Sequence, residues 1–483
     1  MKVSSLPQRT QSHRLAKPPV TSNDPILALR SLLSPEQVLD DLETGAVYGT
    51  DWTRVHKPDP LAVVFPRSVE EVVEVVRFAN ERQIYLVPSG GRTGLSGGAV
   101  AANGEVVVSL RDLDQIFAFS DVDRTVTVQA GVVTATVQAF ALERGLYFPV
   151  DFASSGSSQI GGNVATNAGG LHVVRYGSIR DWVVGLRVVT GRGDLLDLNR
   201  GLIKNATGYD FRHLMIGSEG TLGIVVEATL RLTDPPGPLA VLLFGAPDLP
   251  SVLGLFREIR GTALLSAFEM FSEPTLTRVL AAHRLGRPLA ASSPYYALVE
   301  IEIPDERAFD AALAVSQRMI AANLATDVVI AREETERREI WSLRESISET
   351  IAPFEPYKND IAVLISAMPD FLVAAEREIS ASYPGFEILW YGHVGDGNLH
   401  VNVLRPEGMM KDEFLTRCDA VTERLSMLLE RFGGSVSAEH GVGLLKRRYL
   451  GHSRSAIEVE LMREVKSLFD PNGILNPGKI FEE

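Results

Sequence analysis

Apolar positions along the chain recur with two different periods, and the order in which they alternate sets out the elements. Residues 61–65 form an apolar, β-prone run, after which Val69, Val72, Val73, Val76 and Ala79 follow at the three-and-four spacing of a helix. Ser68 and Glu71 frame its start as a capping box. Residues 84–87 return to strand character, and 125–130 alternate as a half-buried strand. Thr233, Asp234, Pro235, Pro236, Gly237 and Pro238 then interrupt the pattern, since prolines spaced by a glycine continue neither a strand nor a helix. Beyond them strand-like runs at 239–244, 264–270 and 296–303 alternate with helical ones at 249–260, near 275–285 and from Glu306 onward, which predicts an α+β unit packed over the first. A helix is expected over 333–349, two strands over 386–390 and 399–404 joined by a tight loop, and a helix over 409–432. Turn-rich residues 469–479 read as a tail that comes back to the first domain. The expected division is a tail and helical lead-in at 1–56, domains at 57–235 and 236–432, and a C-terminal segment at 433–483 that completes the active site.

Composition narrows the class. At 483 residues the chain exceeds one ordinary core. A net charge of −14 argues against a nucleic-acid surface, and no apolar run is long enough to span a bilayer. The single cysteine, Cys418, excludes an intramolecular disulfide and a cysteine-ligated iron–sulfur cluster carried by this chain alone. The first 23 residues are basic and free of acids, but Pro7, Pro18 and Pro19 interrupt any amphipathic helix, so they read as a disordered tail rather than a transit peptide.

Three segments are too rich in small residues to be simple turns. The first follows the strand at 84–87 and runs Pro88, Ser89, Gly90, Gly91, Arg92, Thr93, Gly94, Leu95, Ser96, Gly97, Gly98. Glycine at that density lets the backbone close on a ligand, with successive amides aimed at one anion, a phosphate or pyrophosphate. The loop has neither the G-x-G-x-x-G spacing nor a G-x-x-x-x-G-K-[ST] motif, so neither an NAD-type nor a P-loop site is supported. The second, within 149–170, is nearly uncharged and dense in hydroxyl and amide side chains, as suits a large, partly apolar cofactor. The third runs from Lys204 to Asp210 and on to 216–224.

A different chemistry gathers at 391–402. His393 and His400 straddle Gly395, Asp396, Gly397 and Asn398, and two strands joined there would set the imidazoles side by side. With Glu439 as a third ligand they make a His2Glu set with positions left open, as in catalytic rather than structural sites, with His440 beside the metal and not bound to it. The plainer alternative is loop histidines satisfied by backbone carbonyls. Zinc is the preferred ion and manganese the alternative. On the helix at 333–349, Trp341, Arg344 and Ser348 share a face, where Arg344 can clamp a carboxylate and Ser348 add a hydrogen bond; the alternative is an arginine paired with Glu345 or another acid. Lys358 follows in the loop at 356–360.

With these motifs in place, the chain resembles the vanillyl-alcohol-oxidase-type flavoproteins over nearly its whole length from about residue 40, and its His-x6-His and Glu-His elements are similar to those of the D-2-hydroxyacid dehydrogenase branch, most of all the D-2-hydroxyglutarate dehydrogenases. That resemblance implies a two-subdomain FAD-binding domain with an α+β substrate cap of antiparallel sheet and helices. It implies FAD held by Ser89, Gly90, Gly91, Arg92, Thr93 and Gly94 at the pyrophosphate, by Ser158, Gly161, Gly162, Asn163 and Thr166, by Glu219, Gly220 and Ile224, and closed over by Asn476. Some relatives attach FAD through a histidine in the first loop; residues 90–98 contain none, so a non-covalent flavin is expected. It also implies that Arg344, Ser348 and Lys358 grip the distal carboxylate of the substrate. A D-2-hydroxy acid chelated through its hydroxyl and one carboxylate oxygen would lose its proton to His440 and its C2 hydride to the flavin, with Asn402 orienting the near carboxylate. Lactate, glycolate or malate in place of 2-hydroxyglutarate, or a non-catalytic flavin- or zinc-binding module, remain as alternatives. Electrons are expected to leave to an electron-transfer flavoprotein or a quinone-linked carrier, from a bacterial cytoplasmic or membrane-peripheral protein or one of the mitochondrial matrix, with a homodimer left open.

Overall fold

Three sheets, each fed by its own stretch of chain, organise the computed structural model, which describes residues 24–482. The tail expected over the first 23 residues lies outside the described residues. The first sheet holds β1 (Val38–Leu39), β2 (Ala62–Val64), β3 (Leu86–Ser89) and β4 (Val106–Ser109) in the order β1-β2-β4-β3, with β2, β4 and β3 parallel. The second holds β5 (Ile116–Ser120), β6 (Thr125–Gln129), β7 (Val183–Val189), β8 (Leu195–Leu198) and β9 (Ile224–Arg231) in the antiparallel order β5-β6-β9-β7-β8. Strand β6 shows the alternating burial that its sequence predicts.

Local detail departs from the pattern in small ways. The helix Val69–Arg82 is capped by Ser68, whose hydroxyl accepts the N–H of Glu71 at 3.1 Å. The expected reciprocal bond falls one residue early, because the Glu71 carboxylate accepts from the N–H of Arg67 at 2.7 Å and from Gln37. Val75 takes the buried place assigned to Val73, as the 3.6-residue turn carries 75 and 76 inward together. The C-terminal tail docks here: Ile474 and Leu475 are buried against this helix and sheet, Leu86 donates its N–H to the Ile474 carbonyl at 2.8 Å, and Asn476 donates its N–H to the Leu86 carbonyl at 2.7 Å. No strand or helix occupies 232–238, although Thr233 bridges back to Tyr147.

The third sheet is antiparallel throughout and has seven strands. Strands β10 (Leu239–Ala246), β11 (Leu264–Ser272), β12 (Tyr295–Glu302), β13 (Asp327–Ala331), β14 (Tyr357–Ala362), β15 (Ile388–Gly392) and β16 (Asn398–Val403) take the order β13-β10-β12-β11-β15-β16-β14. One face buries Phe244, Phe268, Phe371 and Phe414 in one core, which includes buried residues of the helices Leu249–Arg260, Glu306–Ala321, Met368–Ser382 and Lys411–Arg431. The other buries Phe271, Tyr296, Leu389 and Tyr391 with Ile340, Leu343, Ile347 and Ile351. The architecture is α+β. Among the described residues no helix is long and apolar enough to cross a membrane.

Two expectations about this region need correction. The helix expected over 333–349 is two helices, Glu334–Glu345 and Ile347–Ile351, interrupted at Ser346, with Ile347 and Ile351 buried in the core. Lys358 lies on strand β14 rather than in a loop, paired in register with Asn402.

The turn between β15 and β16 rests on Gly397, at φ +90, where an added Cβ would stand 2.3 Å from the carbonyl oxygen of Val363. Gly397→Ala is therefore expected to cost about 2 kcal/mol or more of stability, read as a lower denaturation midpoint. A midpoint equal to wild type would show that the turn can relax.

Candidate functional site

The histidine cluster follows from strand periodicity. His393 follows directly on β15, and a short turn over Val394–Asp396 with Gly397 reverses the chain so that β16 pairs back, Tyr391 opposite His400 and Leu389 opposite Asn402. On the other side of β16, Asp360 faces His400 and Lys358 faces Asn402. Registered neighbours and residues two apart share a face, so Tyr391, His400, Asn402, Lys358 and Asp360 all project to one side of the sheet.

The segment 435–443 brings the remaining groups. The Asp360 carboxylate, 1% exposed, accepts the backbone N–H groups of Ala438, Glu439 and His440 through one oxygen at 3.1, 3.1 and 3.0 Å. Its other oxygen accepts from the Asn398 side-chain amide at 2.8 Å, and Lys446 stands 3.3 Å away. From the opposite side Val442 and Gly443 donate their N–H groups to the buried carboxylate of Glu219 at 2.7 and 2.8 Å.

Held in this way, Glu439 places Oε1 at 3.7 Å from His393 Nε2, 3.6 Å from His400 Nε2 and 3.7 Å from His440 Nε2. Bonds of about 2.1 Å to one tetrahedral ion put its ligands about 3.4 Å apart, so nitrogen–oxygen spacings of this size fit a metal with little adjustment. Behind the cluster, His393 Nδ1 meets Glu269 at 2.7 Å, while the Nδ1 atoms of His400 and His440 lie 3.7 and 3.5 Å from Asp360. Burial pushes the His400 imidazolium pKa down to about 3 and also lowers that of His440, which leaves both as lone-pair donors. Burial acts the same way on His393, but the adjoining Glu269 outweighs it and raises the metal-free group to about 10. Burial would raise Glu439, yet the hydrogen bond and charge of His393 outweigh it and hold the group near 2.

His440 presents Nε2 on the same terms as the other two histidines, so distance alone does not single out a pair. Asp360, His400, Glu439 and His440 also bring one ligand atom each within 4.8 Å of one another. The oxygens of Asp360 are already filled by amide donors and Lys446, whereas Oε1 of Glu439 faces only imidazole.

The predicted carboxylate clamp assembles around Tyr391. Arg344 lies with its guanidinium 4.8 Å from the Tyr391 ring centroid, and the Ser348 hydroxyl is 3.3 Å from the Tyr391 hydroxyl. Arg344 is not an open cation: its Nε donates to Glu269 at 2.7 Å. Lys358 is half-buried, and burial lowers its ammonium pKa with no acid offsetting it. Both polar atoms of the Asn402 amide are buried, beside the Tyr391 hydroxyl but without a well-formed hydrogen bond.

A cleft of about 820 Å³, counting space open to solvent, shares Glu219 with this cluster. Ser89, Gly90, Gly91, Arg92, Thr93, Gly94, Gly161, Gly162, Asn163, Thr166, Glu219, Gly220 and Ile224 line it. The walls suit a dinucleotide: the buried side-chain oxygens of Ser89 and Gln159 lack partners there, and Gly91 packs so closely that an added Cβ would sit 2.2 Å from the Ser157 carbonyl oxygen. Two further expected ligands, Ser158 and Asn476, are not among the residues that line the cleft, and the Asn476 side-chain oxygen is buried without a partner. The Ser158 hydroxyl pairs with Thr134 at 2.8 Å, and the Asn476 amide nitrogen ties the carbonyls of Gly98 and Glu219 at 2.9 and 2.7 Å. Lys204 to Asp210 are exposed and outside the cleft, so the third segment contributes only its 219–225 part. The Glu219 side chain turns to residues 442 and 443, which carries the wall of the cleft directly into the Glu439–His440 segment.

Sequence reasoning missed Asp360, Glu269 and Gln159. A single acid within the apolar run of β11 was a signal for Glu269, and the spacing of Asp360 two residues after Lys358 on a strand was one for Asp360.

Comparison with known proteins agrees with this geometry. Residues 60–199 match the family described as "FAD binding domain" and residues 236–480 the family "FAD linked oxidases, C-terminal domain". A D-2-hydroxyglutarate dehydrogenase of Stutzerimonas stutzeri (strain A1501) is 51% identical over 460 residues, which cover 95% of this chain and 99% of that protein. A D-2-hydroxyglutarate dehydrogenase of Xanthomonas citri pv. viticola is 53% identical over 435 residues, 90% of this chain and 92% of that one. The solved 4-ethylphenol oxidase from Gulosibacter chungangensis superposes with a TM-score of 0.75 over 95% of this chain and 97% of its own at 17% identity, a likeness of fold.

Gly91→Ala is expected to weaken FAD retention about tenfold or more, since overpacking a close backbone contact costs about 1–3 kcal/mol. Flavin absorbance per protein after dialysis measures it, and undiminished flavin would show that the loop does not close on the cofactor.

Proposed function

We propose that this chain, which belongs to the FAD-linked oxidases of the vanillyl-alcohol-oxidase type, is an FAD- and divalent-metal-dependent dehydrogenase that oxidises D-2-hydroxyglutarate to 2-oxoglutarate. The observation that carries the substrate assignment is a pair of polar groups beside the histidine cluster: the Lys358 ammonium, with no acid among the described residues to offset its burial, and the Asn402 amide, buried against the Tyr391 hydroxyl without a well-formed hydrogen bond. Buried polar groups without partners suit a guest that supplies them, and a dicarboxylate supplies two anionic ends.

His393, His400 and Glu439 would hold the ion, zinc in preference to manganese, through Nε2, Nε2 and Oε1. When bound, the metal lowers the pKa of the hydroxyl it touches and the flavin takes up the C2 hydride. His440 accepts the hydroxyl proton at Nε2, its Nδ1 turned toward Asp360. Asn402 meets the near carboxylate. Arg344, Ser348 and Lys358 meet the distal one, with Tyr391 as the platform beneath the arginine. Held at both ends, C2 has one face free for the flavin, and the oriented substrate reacts without a search. Electrons then pass to a separate acceptor, such as an electron-transfer flavoprotein or a quinone-linked carrier. A second reading, a smaller acid such as D-lactate, draws on one observation: Glu269 already neutralises much of the Arg344 charge.

Lys358→Met tests the assignment with little disturbance to the fold, because no protein acid is stranded by the change. The expected result is a loss of about 100-fold or more in kcat/KM on D-2-hydroxyglutarate with D-lactate turnover changed only a few-fold. Equal losses on both acids would contradict it. A chelator should remove turnover on either acid while the protein stays yellow; full activity in a metal-free, flavin-loaded sample would refute the metal assignment.

A further inference from the structure

Glu269 belongs to neither ligand set, yet it touches both. It sits in β11 between Phe268 and Met270, 1% exposed, in the strand next to β15. One carboxylate oxygen meets His393 Nδ1 at 2.7 Å, and the other accepts from Arg344 Nε at 2.7 Å. We propose that Glu269 is a positioning residue that fixes the metal-holding and carboxylate-holding ends of the site relative to each other, and so sets the length of hydroxy acid the site accepts.

The geometry carries this in three steps. A carboxylate at Nδ1 requires the proton there, which fixes the His393 tautomer with its lone pair on Nε2, the atom 3.7 Å from Glu439. A carboxylate at Nε holds the guanidinium by that edge and leaves the opposite edge to a guest, with the guanidinium carbon 4.8 Å from the Tyr391 ring centroid. No other hydrogen bond orients Arg344 among the described residues. The two ends of the substrate are therefore referred to the same pair of oxygens, and those oxygens stand on the interior of a seven-stranded sheet, where β11 is paired with β12 along its length. Glutamine cannot replace Glu269: one acceptor oxygen serves one donor, and its amide N–H groups confront the other.

The inference rests on the function proposed above, and one set of measurements separates the two. Metal retention is measured by chelator titration of the flavin-loaded protein, and discrimination as the ratio of kcat/KM on D-2-hydroxyglutarate to that on D-lactate. Glu269→Gln is expected to lose metal at chelator concentrations about 10- to 100-fold lower than wild type, whereas Arg344→Met keeps the wild-type midpoint. Glu269→Gln should also lower the discrimination ratio about tenfold or more, and adding Arg344→Met to it should lower the ratio no further, because both changes disable the same clamp. Should Glu269→Gln lose its flavin through misfolding, the double variant, which removes the stranded cation, supplies the metal measurement. An unchanged chelator midpoint, or losses in the ratio that multiply independently, would overturn the role of Glu269. Wild-type protein that holds no metal or does not discriminate between the two acids would overturn the proposed function itself.

Discussion

The site depends on one buried carboxylate more than on any ligand. Asp360 gathers the backbone N–H groups of three consecutive residues, Ala438, Glu439 and His440, onto a single oxygen, and only a chain curled around an anion can offer them that way. Because Asp360 stands in register with His400 on the neighbouring strand, the curl is delivered to the face where the histidines already project. Glu219 fastens the far end of the same segment through Val442 and Gly443. A stretch with no regular structure of its own is thereby fixed between a cap sheet and the wall of the cofactor cleft. Glu439 and His440 sit at the junction of the two.

Acids in this region divide by what their oxygens face. Those of Asp360 are taken up by amides and Lys446, those of Glu219 by amides, and those of Glu269 by His393 and Arg344. Glu439 alone of these four turns an oxygen to three imidazole Nε2 atoms at 3.6–3.7 Å. That contrast, rather than proximity, distinguishes a ligand from a scaffold, since Asp360 also lies close to two of the imidazoles. The same contrast applies to cations. Arg344 is anchored by Glu269, while Lys358 has no counter-charge, so the lysine is the group whose charge an incoming carboxylate would satisfy most directly.

Much of this was legible in the chain. Period-two alternation on either side of the Gly395–Gly397 turn puts His393 and His400 together without knowledge of any other element, and the glycines of residues 90–98 announce a close backbone approach. Contacts between distant residues were not legible. Asp360 acts on residues 78 to 80 positions later, Glu219 on residues 223 and 224 positions later, and Glu269 on His393 at a separation of 124. No local pattern encodes such partners; only the pairing of β14 with β16 and the return of the C-terminal segment create them. Errors followed the same line. The polar, glycine-containing run at 204–210 has the composition of a cofactor loop but is carried to the surface. The helix at 333–349 read as continuous because its break is a single serine with the burial of Ile347 and Ile351 behind it.

The central claim is that Glu439 and the imidazoles around it hold an ion beside the flavin. Anomalous diffraction from crystals of the metal-loaded holoprotein, collected at the absorption edge of zinc, tests it most directly. The account predicts a single strong peak about 2.0–2.2 Å from His393 Nε2, His400 Nε2 and a carboxylate oxygen of Glu439, with the amide donors still on Asp360. A peak seated on Asp360 instead, or no peak within reach of Glu439 in an enzyme that turns over D-2-hydroxyglutarate, would contradict it.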